Sequence, residues 1–173
     1  MAWKFYTSDG AEKQTVTEAT TITALLSSTL PENVSIKLDS VLSADTKWSS
    51  IAEDGTAGTT ALVYGYCYYL ASTGKWELTK ADVVGTSINK LGMCIGAADA
   101  DATGTLLLYG EIRADGEFPA FTVGGPVFLS EDTAGVLKSA APGGTDEVVR
   151  IVGHATTADS MLFNPDDVYA TLE

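Results

Sequence analysis

The sequence repeats one structural pattern, and this repetition constrains the fold more than any other feature. Residues 65–76 read GYCYYLASTGKW, and residues 124–137 read GGPVFLSEDTAGVL. In each stretch a Gly precedes a run of strand-forming residues, a polar turn containing Gly follows, and an apolar residue resumes, which is typical of a β-hairpin. At a constant offset of 59 residues, the matched pairs are Gly65 with Gly124, Tyr68 with Val127, Tyr69 with Phe128 and Leu70 with Leu129.

The similarity continues beyond the two hairpins. Gly74 matches Gly135, and Trp76 matches Leu137. The stretch LGMCIGAA matches VRIVGHA, with Gly96 aligned to Gly153, and LLLYG matches MLFNP. A half of this size cannot bury its apolar face alone, because a lone hairpin is at best marginally stable in water. We therefore predict a mainly β fold, a β-sandwich or barrel built from two similar halves at about 61–112 and 120–173.

The first third of the chain has a different pattern of apolar and polar residues. Apolar residues at helical spacing predict one short helix over 21–30, and strict alternation predicts a strand over 33–39. Residues 43–60 are polar and contain glycines, which predicts a long loop. The expected organisation is an N-terminal arm and small subdomain over 1–60, followed by a β-domain over 61–173.

The charge balance excludes one class of partner. The chain carries 10 Lys and Arg against 23 Asp and Glu, a formal net charge of −13, which argues against nucleic acid because phosphate binding requires clustered basic residues. No apolar run approaches the roughly 18 residues of a membrane span, and the N-terminus lacks the pattern of a signal peptide. We expect synthesis in a host cytoplasm and no membrane partner. Cys67 and Cys94 lie in apolar runs, which favours free buried thiols over a disulfide.

No pattern in the sequence predicts a catalytic or metal centre. The single histidine, His154, has no partner at metal-ligand spacing, so a residue at the rim of a β-turn is the favoured interpretation. Residues 99–104 begin like a calcium loop, but the twelfth position is Gly110 where such loops place Glu, which favours a solvated turn. We predict no catalytic residue, no metal ligand and no cofactor.

Tyrosines crowd the first hairpin. Tyr64, Tyr66 and Tyr68 would share one face of a strand and Tyr69 the other. Packing within the core is the favoured interpretation, and a subunit interface is the alternative because Tyr is enriched at interfaces.

Three aromatic residues stand at the N-terminus: Trp3, Phe5 and Tyr6. Their alternation with Lys4 predicts a short strand or an extended arm. An arm at the chain end has little core of its own to enter, so we expect these side chains to dock on a neighbouring subunit or partner; packing under their own domain is the alternative.

The second half resembles a pattern of structural proteins of tailed bacteriophages. Its motifs are G-x-P-V-aromatic-L-S, G-x-L, A-P, V-x-x-V-G-x-A and F-N-P, all within residues 124–165. The stretch AADADATGTLLLYGEIR in the first half looks like the small β-domains of phage head-decoration proteins. The opening MAWKFYTSDG is similar to the starts of phage fibre and decoration chains.

The resemblance implies a non-enzymatic virion protein on the capsid surface. It would be a homotrimer that binds the major capsid protein or other virion proteins as a head decoration, cement or short head-fibre protein, with Trp3, Phe5 and Tyr6 as arm anchors. One alternative is a tail-fibre or receptor-binding module. Another is a stand-alone domain that binds a small ligand or carbohydrate on a platform of Trp48, Trp76 and the tyrosines.

Overall fold

Two antiparallel strands near the N-terminus belong to the first of two structural units. The computed structural model describes residues 51–173 in full and the strand backbones at 3–6, 12–16 and 48–50. The first unit covers residues 1–37 and the second covers residues 38–173. In the first unit β1 (Trp3–Tyr6) pairs with β2 (Glu12–Val16), from Trp3 opposite Val16 to Tyr6 opposite Glu12. The helix predicted over 21–30 and the strand predicted over 33–39 lie outside the described residues.

The second unit is a single antiparallel sheet. Its elements are β3 (Trp48–Thr56), β4 (Cys67–Leu70), β5 (Trp76–Leu78), the one-turn helix α1 (Val84–Ser87), β6 (Leu91–Gly96), β7 (Thr103–Arg113), β8 (Pro126–Leu129), β9 (Leu137–Lys138), β10 (Val148–Ala155), β11 (Ser160–Phe163) and β12 (Tyr169–Thr171). Eight strands follow one another in the order β5-β4-β6-β7-β11-β10-β8-β9, while β3 pairs with β7 and β12 with β10. The predicted mainly β fold is confirmed, and the sheet curls into a half-barrel. Its finer description as a sandwich or barrel of two halves stays a prediction.

The long strand β7 organises this sheet. Along one edge it pairs with β3, from Thr103 opposite Thr56 to Ile112 opposite Trp48. It also pairs with β6 at residues 105–107 and with β11 at residues 110–113. A strand has only two edges, and β3 occupies one edge of β7. β6 and β11 therefore pair with successive parts of the other edge. β7 therefore joins β5, β4 and β6 on one side of the sheet order to β11, β10, β8 and β9 on the other.

The loop predicted over 43–60 is wrong for residues 48–56, which form β3. The sequence WSSIAEDGT does not alternate cleanly between apolar and polar residues, so the hydrophobic pattern gives no strand signal. The strand forms because the backbone groups along the second edge of β7 need hydrogen-bond partners, and β3 supplies them. This pairing places residues 48–56 in the same sheet as the strands of the predicted β-domain.

Matching turns appear in the two predicted halves. Gly65 and Gly124 have φ values of 79° and 78°, and Gly74 and Gly135 have 78° and 77°. A positive φ is strained for residues with a side chain, so each hairpin requires Gly at the same two places. Leu106 pairs with Cys94 just as Met161 pairs with Ala155, which agrees with the predicted match of LLLYG with MLFNP.

The predicted match of Gly96 with Gly153 is wrong. Tyr68 lies opposite Gly92, and its counterpart Val127 lies opposite Gly153. Gly92 is therefore the position that corresponds to Gly153. The error arises because strand register follows the packing of neighbouring strands rather than the spacing of glycines. At Gly92 that packing partner is Trp76, whose ring a Cβ would approach to 3.0 Å.

Two apolar clusters form the core of the second unit. The larger contains buried residues from most strands of the sheet, including Met93, Leu107, Val127 and Phe163. The smaller consists of Ala57, Leu62, Tyr68, Trp76, Cys94 and Leu106. Lys90 lies over the indole ring of the smaller cluster, with its Nζ 5.6 Å from the ring centroid.

The two cysteines are free and have no exposed surface. Burial raises the pKa of the Cys67 thiol to about 12 and that of the Cys94 thiol to about 11. Thiolate is the reactive form, so both groups should be inert in the folded protein. We expect a disulfide reagent at pH about 8 to modify neither thiol without denaturant and both in denaturant. Rapid modification of the native protein would contradict this placement of β4 and β6.

Candidate functional site

A bulge of five residues, 164–168, interrupts the regular pairing of strands on β10, although the Asn164 and Asp166 N–H groups still donate to β10 carbonyls. β11 pairs with β10 up to Phe163 opposite Gly153, and β12 pairs with β10 from Tyr169 opposite Arg150. Between them residues 164–168 leave the regular ladder. Pro165 cannot donate a backbone hydrogen bond, and the side chain of Asp166 accepts one from the Val168 N–H at 2.9 Å. Proline and the aspartate turn thus account for the bulge.

The buried side chain of Arg150 is hydrogen-bonded to this bulge. This side chain is 4% exposed. Its Nε donates to the Asp166 carbonyl at 2.6 Å, and its Nη1 donates to the Ser87 and Asn89 carbonyls at 2.7 and 2.9 Å. One guanidinium therefore joins the end of α1 to the bulge. Burial lowers the pKa of Arg150, although the nearby acidic groups, Asp167 among them, oppose that shift.

Two adjoining clefts flank the bulge. The first has a volume of about 390 Å³ and is lined by apolar Ile88, Leu91, Leu108 and Pro165 together with the basic side chains Lys90 and Arg150. The second is of the same size and is lined by Ile151, His154 and the bulge. Both clefts share Asn164, Pro165 and Asp167. Among the described residues, this is where basic, amide and apolar groups come together.

The sequence motifs do not predict this site. Arg150 lies within the stretch VRIVGHA, whose pattern predicts a strand and no functional residue. The available signal was a charged residue inside the otherwise apolar run VVRIVG, at a position whose neighbours 148 and 152 are buried. A lone Arg on the inward face of a strand is rare unless it is paired, so it marks a site that tertiary contacts must satisfy.

The three tyrosines predicted as a possible interface lie in different surroundings. Tyr64 is half-buried against the larger cluster and donates its hydroxyl to the Arg113 carbonyl at 2.9 Å. Tyr66 packs on the smaller cluster. Tyr68 has no exposed surface; its hydroxyl donates to the Ala61 carbonyl at 2.9 Å and accepts from the Val63 N–H at 2.8 Å. Only Tyr64 and Tyr66 retain surface that a second subunit could reach.

The expectation that these tyrosines alternate along one strand is wrong. β4 begins at Cys67, and Tyr64 lies in a turn with Gly65, which the Tyr66 N–H closes by donating to the Val63 carbonyl at 3.1 Å. The positive φ of Gly65 ends the extended conformation that alternation requires. Burial raises the pKa of the Tyr68 hydroxyl to about 12, as expected for a group enclosed by its own chain.

The predicted arm anchors belong to the other unit. Trp3, Phe5 and Tyr6 all lie in β1, whose backbone is an antiparallel strand as the alternation predicted. The aromatic platform considered as an alternative loses Trp76, which is 2% exposed inside the smaller cluster.

Neither of the two motifs that resembled chemical sites forms such a site among the described residues. His154 is exposed, as predicted, but it lies within β10 opposite Leu162 and Pro126, so its predicted place at a β-turn is wrong. Asp101 adopts φ 61° in a turn and forms an ion pair with Lys75. No group of three or more His, Cys, Asp or Glu that could hold a metal ion occurs among the described residues.

Glu111 on β7 is a buried acid, 5% exposed, whose carboxylate accepts a hydrogen bond from Thr156 Oγ1. Burial raises its pKa above the ordinary value of 4.5. A carboxyl whose folded-state pKa is raised destabilises the fold when ionised, so this cost disappears as the pH falls through the raised pKa towards 4.5.

We therefore expect Glu111→Gln to raise the free energy of unfolding at neutral pH, and to raise it less at about pH 5. Urea denaturation of the wild type and the variant at the two pH values measures the difference between their free energies of unfolding. The contribution of every other acid cancels in this difference, because both proteins carry those acids. A difference that does not change with pH would show that Glu111 ionises normally.

Comparisons with known proteins add no family: a scan of protein families finds none that matches the chain, and a search of curated proteins finds no relative. No helix in the described part of the chain is long and apolar enough to cross a membrane.

Proposed function

We propose that this chain is a non-enzymatic structural protein of a tailed-phage virion, a capsid decoration protein that binds the outside of the head and stabilises it. The observation that carries the proposal is that the aromatic arm and the β-domain belong to different structural units. β1, with Trp3, Phe5 and Tyr6, pairs with β2 inside the unit 1–37, while the sheet forms the unit 38–173. Aromatic residues that belong to a unit other than the β-domain suit attachment to a larger surface.

The positions of the phage-like motifs support the same function. PVFL is β8, VVRIVGHA is β10, and F-N-P spans the end of β11 and the start of the bulge. The resemblance therefore falls on elements that build the sheet and its main surface feature. An excess of acidic residues keeps such a domain soluble at the high local concentration of a capsid lattice.

Binding to heads tests the arm. Heads purified from a phage that lacks this chain would be mixed with the wild-type chain and with a Trp3→Ala, Phe5→Ala double variant. Loss of both aromatic anchors should weaken binding at least tenfold, since a buried aromatic anchor contributes about 2 kcal/mol or more. Lys4→Ala, on the same strand, is the control and should bind normally.

Unchanged binding of the double variant would contradict the role of Trp3 and Phe5 as anchors. Absence of binding by the wild-type chain would contradict the decoration function. Circular dichroism of each variant would verify that the sheet remains folded.

The oligomeric state tests the expected homotrimer. Light scattering after size exclusion should give a mass three times the 18.1 kDa of the chain. A monomer would favour the second candidate, a domain that binds a small ligand. The cleft beside Arg150 is the observation that favours this alternative, because it combines apolar walls with a buried cation.

A further inference from the structure

The guanidinium of Arg150 has one nitrogen that the fold leaves open. Nε and Nη1 make three hydrogen bonds to the carbonyls of Ser87, Asn89 and Asp166. Nη2 takes part in none of the hydrogen bonds found among the described residues; its nearest acid, Asp167, places Oδ1 3.9 Å away, too far for a hydrogen bond. Its two protons are therefore available to an acceptor from outside.

Asp167 does not neutralise this charge. Its side chain is fully exposed, whereas that of Arg150 is 4% exposed. An ion pair between a buried cation and a carboxylate in bulk solvent at this distance is weak, because water screens it. Burial of the guanidinium without a close anion is costly, and an anion that entered the cleft would offset that cost.

The cleft around Arg150 indicates which anion fits. Ile88, Leu91, Leu108 and Pro165 give it apolar walls, and its volume of about 390 Å³ lies at the small end of ligand sites. Its other cation, Lys90, already forms an ion pair with Glu53 at 2.6 Å. One positive charge is therefore left to match, which favours a singly charged anion over a phosphate dianion.

A side-chain amide that lines the same cleft supplies a second donor. Asn164 lines the cleft, and its side-chain amide makes no hydrogen bond within the described part of the chain. An anion with two oxygens could accept from Nη2 of Arg150 with one and from the Asn164 amide with the other.

We propose that the cleft between α1 and the 164–168 bulge binds a carboxylate attached to an apolar group, with Arg150 and Asn164 as its ligands. Two sources share this chemistry: a free organic acid, and the C-terminal carboxylate of another polypeptide. The site is independent of the proposed virion function, because it rests only on the second unit of the chain.

Titration of the ¹⁵N-labelled full chain tests the site with three probes. N-acetyl-leucine carries an amide, an apolar side chain and a carboxylate, and hexanoate carries only the apolar chain and the carboxylate. N-acetyl-leucinamide, the matched control, lacks the charge. Both acids should shift the Arg150 Nε–H and the Asn89 and Asn164 amide signals with a millimolar Kd, and the control should not.

The relative affinities of the two acids identify the source. Tighter binding of N-acetyl-leucine assigns the site to a polypeptide C-terminus, and equal or tighter binding of hexanoate assigns it to a free acid. If neither acid shifts these signals, or if the uncharged amide shifts them equally, the proposal is wrong.

Two exposed substitutions test the location without removing Arg150 from the fold. Asp167→Asn removes an exposed carboxylate that lines the cleft, and because water screens that charge it should tighten binding of the acids by no more than about twofold. Asn164→Asp replaces a donor with a like charge and should weaken binding severalfold or abolish it. Affinities unchanged by both substitutions would show that the acids bind elsewhere and would overturn the proposal.

Discussion

Gly153→Ala should cost about 3 kcal/mol or more of the free energy of unfolding, because it forces a side chain into the backbone of the next strand. A Cβ at residue 153 would overlap the Leu162 carbonyl oxygen and lie 2.5 Å from Met161 Cε. The methionine side chain can move, but the carbonyl belongs to the ladder between β10 and β11. Relief would therefore require the two strands to separate where they join the sheet.

Urea denaturation followed by circular dichroism measures this loss, and the slope of the transition shows whether the compactness of either state has changed. Gly143→Ala is the matched control, since a Cβ there would meet no atom within 4 Å. It should change the free energy of unfolding by no more than about 0.5 kcal/mol. Equal midpoints for the two variants would contradict the register of β10 with β11.

Trp76→Ala should have an effect of similar size, about 3–5 kcal/mol, because it removes the largest fully buried side chain within residues 51–173. The indole fills the space left by two glycines: a Cβ at Gly55 would overlap its Nε1, and one at Gly92 would approach the ring to 3.0 Å. Neither glycine has a side chain that could fill the cavity. The rigid strands β3 and β6 can close over it only in part.

Trp76→Phe provides the comparison, since it keeps an aromatic ring and removes part of the volume. We expect it to lose clearly less stability than the Ala variant, in proportion to the smaller cavity. Circular dichroism is the appropriate signal because the substitution removes a fluorophore. If Trp76→Ala and Trp76→Phe have equal stability, the indole does not fill the space between Gly55 and Gly92.

Features set by the local backbone were predictable from the sequence. The hairpin turns are an example: Gly65, Gly74, Gly124 and Gly135 all adopt φ near +78°, a conformation that few other residues tolerate. Local chemistry also marked the strand at β1 and the exposed position of His154. In each case the residues within a few positions contain the information.

The candidate site was not predictable in the same way. Arg150 finds its acceptors at residues 87 and 89, more than 60 positions earlier in the chain, and at residue 166. Those carbonyls come together only after α1 and the bulge have packed around the guanidinium. No spacing in the sequence encodes such a meeting, since main-chain oxygens are present at every residue.

The sequence by itself determined the two hairpins, their turn glycines and the mainly β class, because these depend on backbone conformations and strand propensities that are local. Only the tertiary structure decided that 48–56 is a strand, that Gly92 rather than Gly96 corresponds to Gly153, and that Arg150 is buried with one nitrogen open. The first follows from the pairing of β3 with β7, the second from the pairing of β4 with β6 and of β8 with β10, and the third from the packing of α1 and the bulge around Arg150. Pairing between distant segments is a property of the whole sheet, since each partner's backbone groups must be satisfied at once.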